Sequence, residues 1–165
     1  IIFHPKANSF QEWAFPVWGN KKKYTVVYAD EKFELFKNNT AMPRAKLFYK
    51  YEVIKDEKKL LKRFYNDNFD YRNTLLLEED PQLTKNEGKP TTSEAKIISY
   101  TPNRVIITVS TDKPALLFLS DSYYARWKAK INGKEEKVLR TDYTFRSVRV
   151  PAGKSTVEFF YSGLL

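Results

Sequence analysis

The residues with the greatest chemical potential lie between Asp121 and Arg146. Asp121, Tyr123, Tyr124 and Trp127 fall in one short stretch. Tyr and Trp faces stack on sugar rings, and a neighbouring carboxylate accepts sugar hydroxyls, so this grouping reads as a carbohydrate-binding site. Arg140 and Arg146 follow, and guanidinium forks match the oxygens of an anionic glycan or a phosphate. A plainer reading competes at each position. Trp127, Ala129 and Ile131 share one strand parity, which makes Trp127 the core tryptophan of a β-sandwich. Tyr123 and Tyr124 point to opposite sides of a regular strand, so one of them is expected at the surface. Asp142 reads as the acidic half of an edge ion pair with an arginine. A glycosidase would need Asp121 and Asp142 about 5 to 10 Å apart with one raised pKa, and neither property is written in a sequence. No catalytic residue is assigned.

Composition removes several other chemistries. The chain of 165 residues has no cysteine, which excludes disulfides, thiol catalysis and cysteine-bound zinc. His4 is the single histidine, so no mechanism with two imidazoles and no histidine-rich metal site is possible. The acidic residues Asp67, Asp70, Glu78, Glu79 and Asp80 lack the spacing of a calcium loop and read as solvated surface. No metal and no cofactor is expected. The net charge of +9 suits anionic lipid or acidic polymer as a partner. Phe48, Tyr49, Lys50 and Tyr51 interleave aromatic and basic groups as single-strand binders do, but strand alternation accounts for them and no nucleic-acid motif is present. No nucleic-acid partner is expected.

The elements that must hold these residues are mostly strands. Aromatics make up 16% of the chain, chiefly Tyr and Phe, which favours sheet. Residues 1 to 20 read as a long aromatic loop or as a short helix around Gln11–Trp13. Tyr24–Tyr28 and Lys32–Phe36 read as a hairpin, with the solvated turn Lys21–Lys23 before it, and Ala45–Ile54 as one longer strand. Asp56 is a good N-cap, and Leu60, Leu61, Phe64 and Tyr65 recur at helical spacing, which predicts a helix over 56–66. Thr74–Glu78 is a short buried strand. Residues 81–93 are polar and carry Gly88 and Pro90, the features of a linker. Seven short strands follow, over 95–100, 104–110, 115–119, 124–131, 136–140, 143–150 and 155–161, and Asn132-Gly133 is the strongest hairpin signal. The expected architecture is mainly β: an α+β part over 1–80 with three or four strands and one helix, a linker over 81–93, and an antiparallel seven-stranded sandwich of jelly-roll or immunoglobulin-like type over 94–162. No run of about 18 apolar residues is present. Ile1-Ile2-Phe3 reads as the tail of a strand, and the last four residues turn apolar again, so a longer parent chain with a neighbouring membrane segment is expected.

These segments carry a resemblance. Leu117-Phe118-Leu119-Ser120-Asp121-Ser122-Tyr123-Tyr124, Trp127-Lys128-Ala129 and Ile131-Asn132-Gly133-Lys134 resemble the C-terminal extracytoplasmic domain of YfhO-like bacterial multi-pass membrane proteins. So do Phe145-Arg146-Ser147-Val148 and Val150-Pro151-Ala152-Gly153-Lys154. In the first half, Ala41-Met42-Pro43-Arg44-Ala45 resembles the family's strand lead-in, and Asn68-Phe69-Asp70-Tyr71-Arg72 its helix-to-strand connection. Ala125-Arg126 stand where the family usually has Pro-Gly. The resemblance implies relatedness to polyprenyl-phosphate-dependent glycosyltransferases and a cell-membrane location, with this domain facing the periplasm or the exterior. It implies an accessory role beside a membrane-embedded remainder of the same polypeptide, with envelope glycan or a lipid-linked sugar as a partner. A stand-alone carbohydrate-binding module and a purely structural or protein-interaction domain are the alternatives.

Overall fold

A computed structural model describes residues 2–5, 22–83 and 90–163. The aromatic loop or short helix expected over 1–20 falls largely outside the described residues. The chain divides into two compact units, Ile1–Met42 and Pro43–Leu165. This boundary differs from the expected one at 81–93. Strands before residue 80 pair with strands after residue 110, so the polar stretch does not separate two folds.

The first unit is a three-stranded sheet of β1 (Ile2–Pro5), β2 (Tyr24–Ala29) and β3 (Phe33–Asn38) in the order β1-β3-β2. The β2–β3 hairpin is turned by Asp30, whose carboxylate accepts the backbone N–H groups of Lys32 and Phe33 at 2.7 and 2.9 Å. Such an Asx turn is the reason Asp suits this position.

The second unit packs two sheets face to face. One has five strands, β7 (Ser93–Thr101), β8 (Arg104–Thr111), β10 (Trp127–Ile131), β11 (Lys134–Glu136) and β14 (Gly153–Tyr161), in the order β11-β10-β14-β8-β7. The other has six, β4 (Ala45–Phe48), β5 (Lys50–Val53), β6 (Thr74–Leu77), β9 (Ala115–Ser122), β12 (Leu139–Thr141) and β13 (Phe145–Val150), in the order β4-β9-β13-β12-β6-β5. Val105, Ile107, Val109, Val157 and Phe159 of the first sheet meet Leu47, Leu117, Leu119, Val148 and Val150 of the second in one core. The two-residue period of these positions shows why each strand buries one face.

Two expectations change in detail. The single strand foreseen over Ala45–Ile54 is broken at Tyr49, and its halves pair with opposite ends of the six-stranded sheet. The strand foreseen over Glu136–Arg140 is also split. Its first residue stays in the five-stranded sheet, Val138 drops into the core, and Leu139 begins β12 in the other sheet. The strands from residue 93 onward pair with one another antiparallel throughout, as expected, and the one parallel pair among the described strands lies before them. β5 and β6 run parallel, joined by α1 (Glu57–Phe64), because a crossover helix connects them. The Asp56 side chain caps that helix by accepting the N–H of Lys59 at 2.8 Å. Leu60 meets Leu76 and Phe69 under it, while Lys58, Lys59 and Lys62 face solvent. The Asn132-Gly133 turn has φ of 50° and 85°, the paired positive angles that the short hairpin requires.

Candidate functional site

Two bulges, one in each sheet, build the site. In β9, Leu119 pairs with Arg146 and Ser122 with Phe145, so Ser120 and Asp121 are extra residues opposite one peptide of β13. In β7, Ile97 pairs with Ile107 and Ser99 with Ile106, which leaves Ile98 extra. A bulge re-aims the side chains that follow it. After Ile98 the parity changes, and Tyr100 opposes Val105, a core residue, instead of falling on the outer face. Arg44 arrives from just before β4, where its carbonyl accepts the N–H of Ser120 at 2.9 Å.

Asp121 is the centre of the result. Its Oδ1 accepts Arg44 Nε at 2.9 Å and lies 2.8 Å from Arg44 Nη2. Its Oδ2 accepts Arg146 Nη2 at 2.7 Å and the Tyr100 hydroxyl at 3.1 Å. The Tyr100 hydroxyl in turn accepts Arg44 Nη2 at 2.7 Å. Two guanidinium groups and one carboxylate leave one net positive charge.

Both arginines also lie on aromatic faces. Arg146 is 2% exposed and sits 3.7 Å from the centre of the Trp127 ring, while Arg44 lies 4.5 Å from that of Tyr100. Burial is costly for a cation, and it lowers the Arg146 pKa against the opposing pull of Asp121. Arg146 Nε is buried with no hydrogen-bond partner among the described residues. Burial, and then the charge of Asp121, push the Tyr100 phenol up, whereas the hydrogen bond to Asp121 raises Arg44. The group opens into a cleft of about 340 Å³.

Asp121, Trp127 and Arg146 are therefore brought together, as their grouping in the sequence suggested. Trp127 is packed against the core, but one face of its indole is covered by Arg146 and its edge meets Tyr161 at 5.8 Å. The two tyrosines part, although both lie in the connection between β9 and β10 and not in a strand as expected. Tyr123 is half-buried against the core, and Tyr124 is 57% exposed and stacks on Tyr161 at 6.3 Å. Arg140 is elsewhere. It opposes Arg146 in register, yet its Nε donates to the Tyr143 carbonyl at 2.5 Å and its Nη1 lies 3.1 Å from Glu78.

Asp142 makes no ion pair with an arginine among the described residues. It is 8% exposed, at a φ of 48°, and its Oδ1 accepts the N–H of Leu76 at 2.8 Å. Burial pushes its pKa up to about 6, against the opposing effect of that hydrogen bond. It does not line the cleft that holds Asp121, so the two carboxylates do not face a common substrate position. Arg44 and Tyr100 were the residues that sequence reasoning missed. Arg44 stood inside the Pro43-Arg44-Ala45 segment as a strand lead-in, and nothing marks Tyr100, because the Ile98 bulge has no sequence signature of its own. Among the described residues no group of three or more His, Asp or Glu is placed to hold a metal ion.

Fold and site define a β-sandwich module whose open end is closed by a charged, aromatic-walled cluster. The family described as bacterial membrane protein YfhO matches residues 20–163, and the chain belongs to that family. A curated relative, the uncharacterised protein YfhO of Bacillus subtilis (strain 168), is 30% identical over 94 residues, which is 56% of this chain and 11% of the relative. The chain thus spans a small part of that relative's length. No solved structure matches. The segments that carried the resemblance supply Arg44, Asp121, Trp127 and Arg146, and these residues meet in one cluster.

Proposed function

We propose that this chain is an extracytoplasmic accessory module of a multi-pass membrane protein that modifies envelope polysaccharide or lipid-linked glycan, and that the module itself is non-catalytic. The observation that carries the non-catalytic part is the state of Asp121. It is the acidic residue of the cleft, and both its oxygens are already taken by Arg44, Arg146 and Tyr100. A carboxylate whose two oxygens are both engaged by neighbouring side chains has no free oxygen to offer a reacting group. Family membership supports the membrane context. No described helix is long and apolar enough to cross a membrane, so the membrane-embedded partner on this reading is the remainder of the polypeptide.

The decisive experiment is topology mapping of the full-length protein with reporters inserted beside this module. A reporter active only outside the cytoplasm is expected, and one active only in the cytoplasm overturns the reading. The alternative of a carbohydrate-binding module is favoured by the exposed Tyr124 stacked on Tyr161, an apolar platform of the kind sugar rings cover. Titration with envelope glycan fragments tests it: binding lost in Tyr124→Ala supports it, and no binding at millimolar glycan leaves the structural role.

A further inference from the structure

We propose that the cleft beside this cluster binds a phosphate-type oxyanion on Arg44, with Arg146 fixed beneath it. The inference names the ligand chemistry of the site described above and rests on the proposed function only for where such a ligand would come from. Three observations carry it. The cluster is overcharged: Asp121 is shared between two guanidinium groups, and no second carboxylate lines the cleft. The donors are pre-arranged. Arg44 is held by Asp121 and Tyr100, and Arg146 by Asp121 and Trp127, so neither fork must be ordered when a ligand arrives. The donors are also accessible where it matters. The Arg44 side chain is 53% exposed, and Thr101, Ser120 and Ser122 line the same cleft of about 340 Å³. That space holds a phosphate ester with a small alcohol, at the lower end of the size of small-molecule sites.

Asp121 supplies the discriminating test, because it is the built-in competitor for both arginines. The ¹H–¹⁵N Nε resonances of Arg44 and Arg146 are followed during titration with inorganic phosphate and with glycerol phosphate at constant ionic strength. Saturable shifts at millimolar ligand are expected. Arg44→Gln should weaken binding about tenfold, the worth of one charge-assisted contact, and Lys128→Gln, outside the cleft, should leave it unchanged. Asp121→Asn should tighten binding severalfold, an effect in the direction opposite to any loss of folding. Vesicles containing phosphatidylglycerol, against phosphatidylcholine alone, separate a lipid headgroup from a soluble phosphate ester as the source. Absence of saturable shifts with phosphate, glycerol phosphate and phosphatidylglycerol vesicles alike overturns the proposal, as do unchanged binding in Arg44→Gln and weaker binding in folded Asp121→Asn. These measurements are independent of topology, so their failure leaves the extracytoplasmic reading standing, and a cytoplasmic reporter result leaves oxyanion binding standing.

Discussion

Replacing Asp142 by asparagine should make the protein more stable at neutral pH, although a charged residue is being removed. The Asp142 carboxyl is buried and its pKa is raised from 3.8 to about 6. A raised acid pKa means that the folded state holds the proton more tightly than the unfolded chain does. Stability from this group is therefore fullest below about pH 4, falls as pH rises toward 6, and stays low above it. A shift of about two units corresponds to about 3 kcal/mol lost by pH 7.5, an order-of-magnitude figure. Asparagine keeps an oxygen for the Leu76 N–H and tolerates the positive φ of 48°, but carries no charge to bury. Urea unfolding of both proteins at pH 4.5 and pH 7.5 measures the effect, because the other titrating groups are common to both and cancel. Asp142→Asn should be the more stable by about 1–3 kcal/mol at pH 7.5, with most of the gap gone at pH 4.5. A gap that does not change with pH, or a variant weaker at pH 7.5, would refute the assignment of a buried, charge-averse carboxylate. Asp142→Ala separates charge from hydrogen bonding: it strands the Leu76 donor and should be less stable than Asp142→Asn at both pH values.

Arg146→Leu should lower stability by about 2–4 kcal/mol in the same assay, since it removes a buried cation stacked on Trp127 and takes from Asp121 one of its two arginine partners. Adding Asp121→Asn should recover part of that loss, and strict additivity would show that the two side chains do not interact. Gly133→Ala should cost about 1 kcal/mol in thermal unfolding, because φ is 85° there although the space around it is open. Asp56→Ala should cost about 1 kcal/mol through the lost helix cap, and no change would show that the α1 cap contributes nothing.

Local chemistry in the sequence foretold much of this structure. The cap at Asp56, the turn at Asn132-Gly133 and the inward parity of Trp127, Ala129 and Ile131 each depend on neighbours within a few positions. The features that assemble the site are of another kind. The bulges at Ile98 and at Ser120-Asp121 are set by which strand lies opposite, and a one-residue slip sends a side chain to the other face. Nothing in the sequence therefore set Tyr100 apart from the rest of its strand. Arg140 and Arg146 looked alike in sequence and even oppose each other in register. The partners that separate them, Glu78 and Tyr143 on one side and Asp121 and Trp127 on the other, come from distant parts of the chain. The break at Tyr49 was equally hidden, because both halves of 45–53 are good strand sequence.

That break shapes how the protein must be made. The segment from Ala45 to Val53 supplies both ends of the six-stranded sheet, and Ala45 finds its partner Leu119 more than 70 residues later. As the chain emerges from the ribosome, β5 can pair with β6 early, while β4 waits for β9 with apolar Leu47 and Phe48 uncovered. The β4–β9 rung therefore cannot close until residue 119 has been made. Variants that delay β9, or that make the waiting strand more hydrophobic, should reduce the yield of soluble protein more than they reduce the stability of the molecules that do fold.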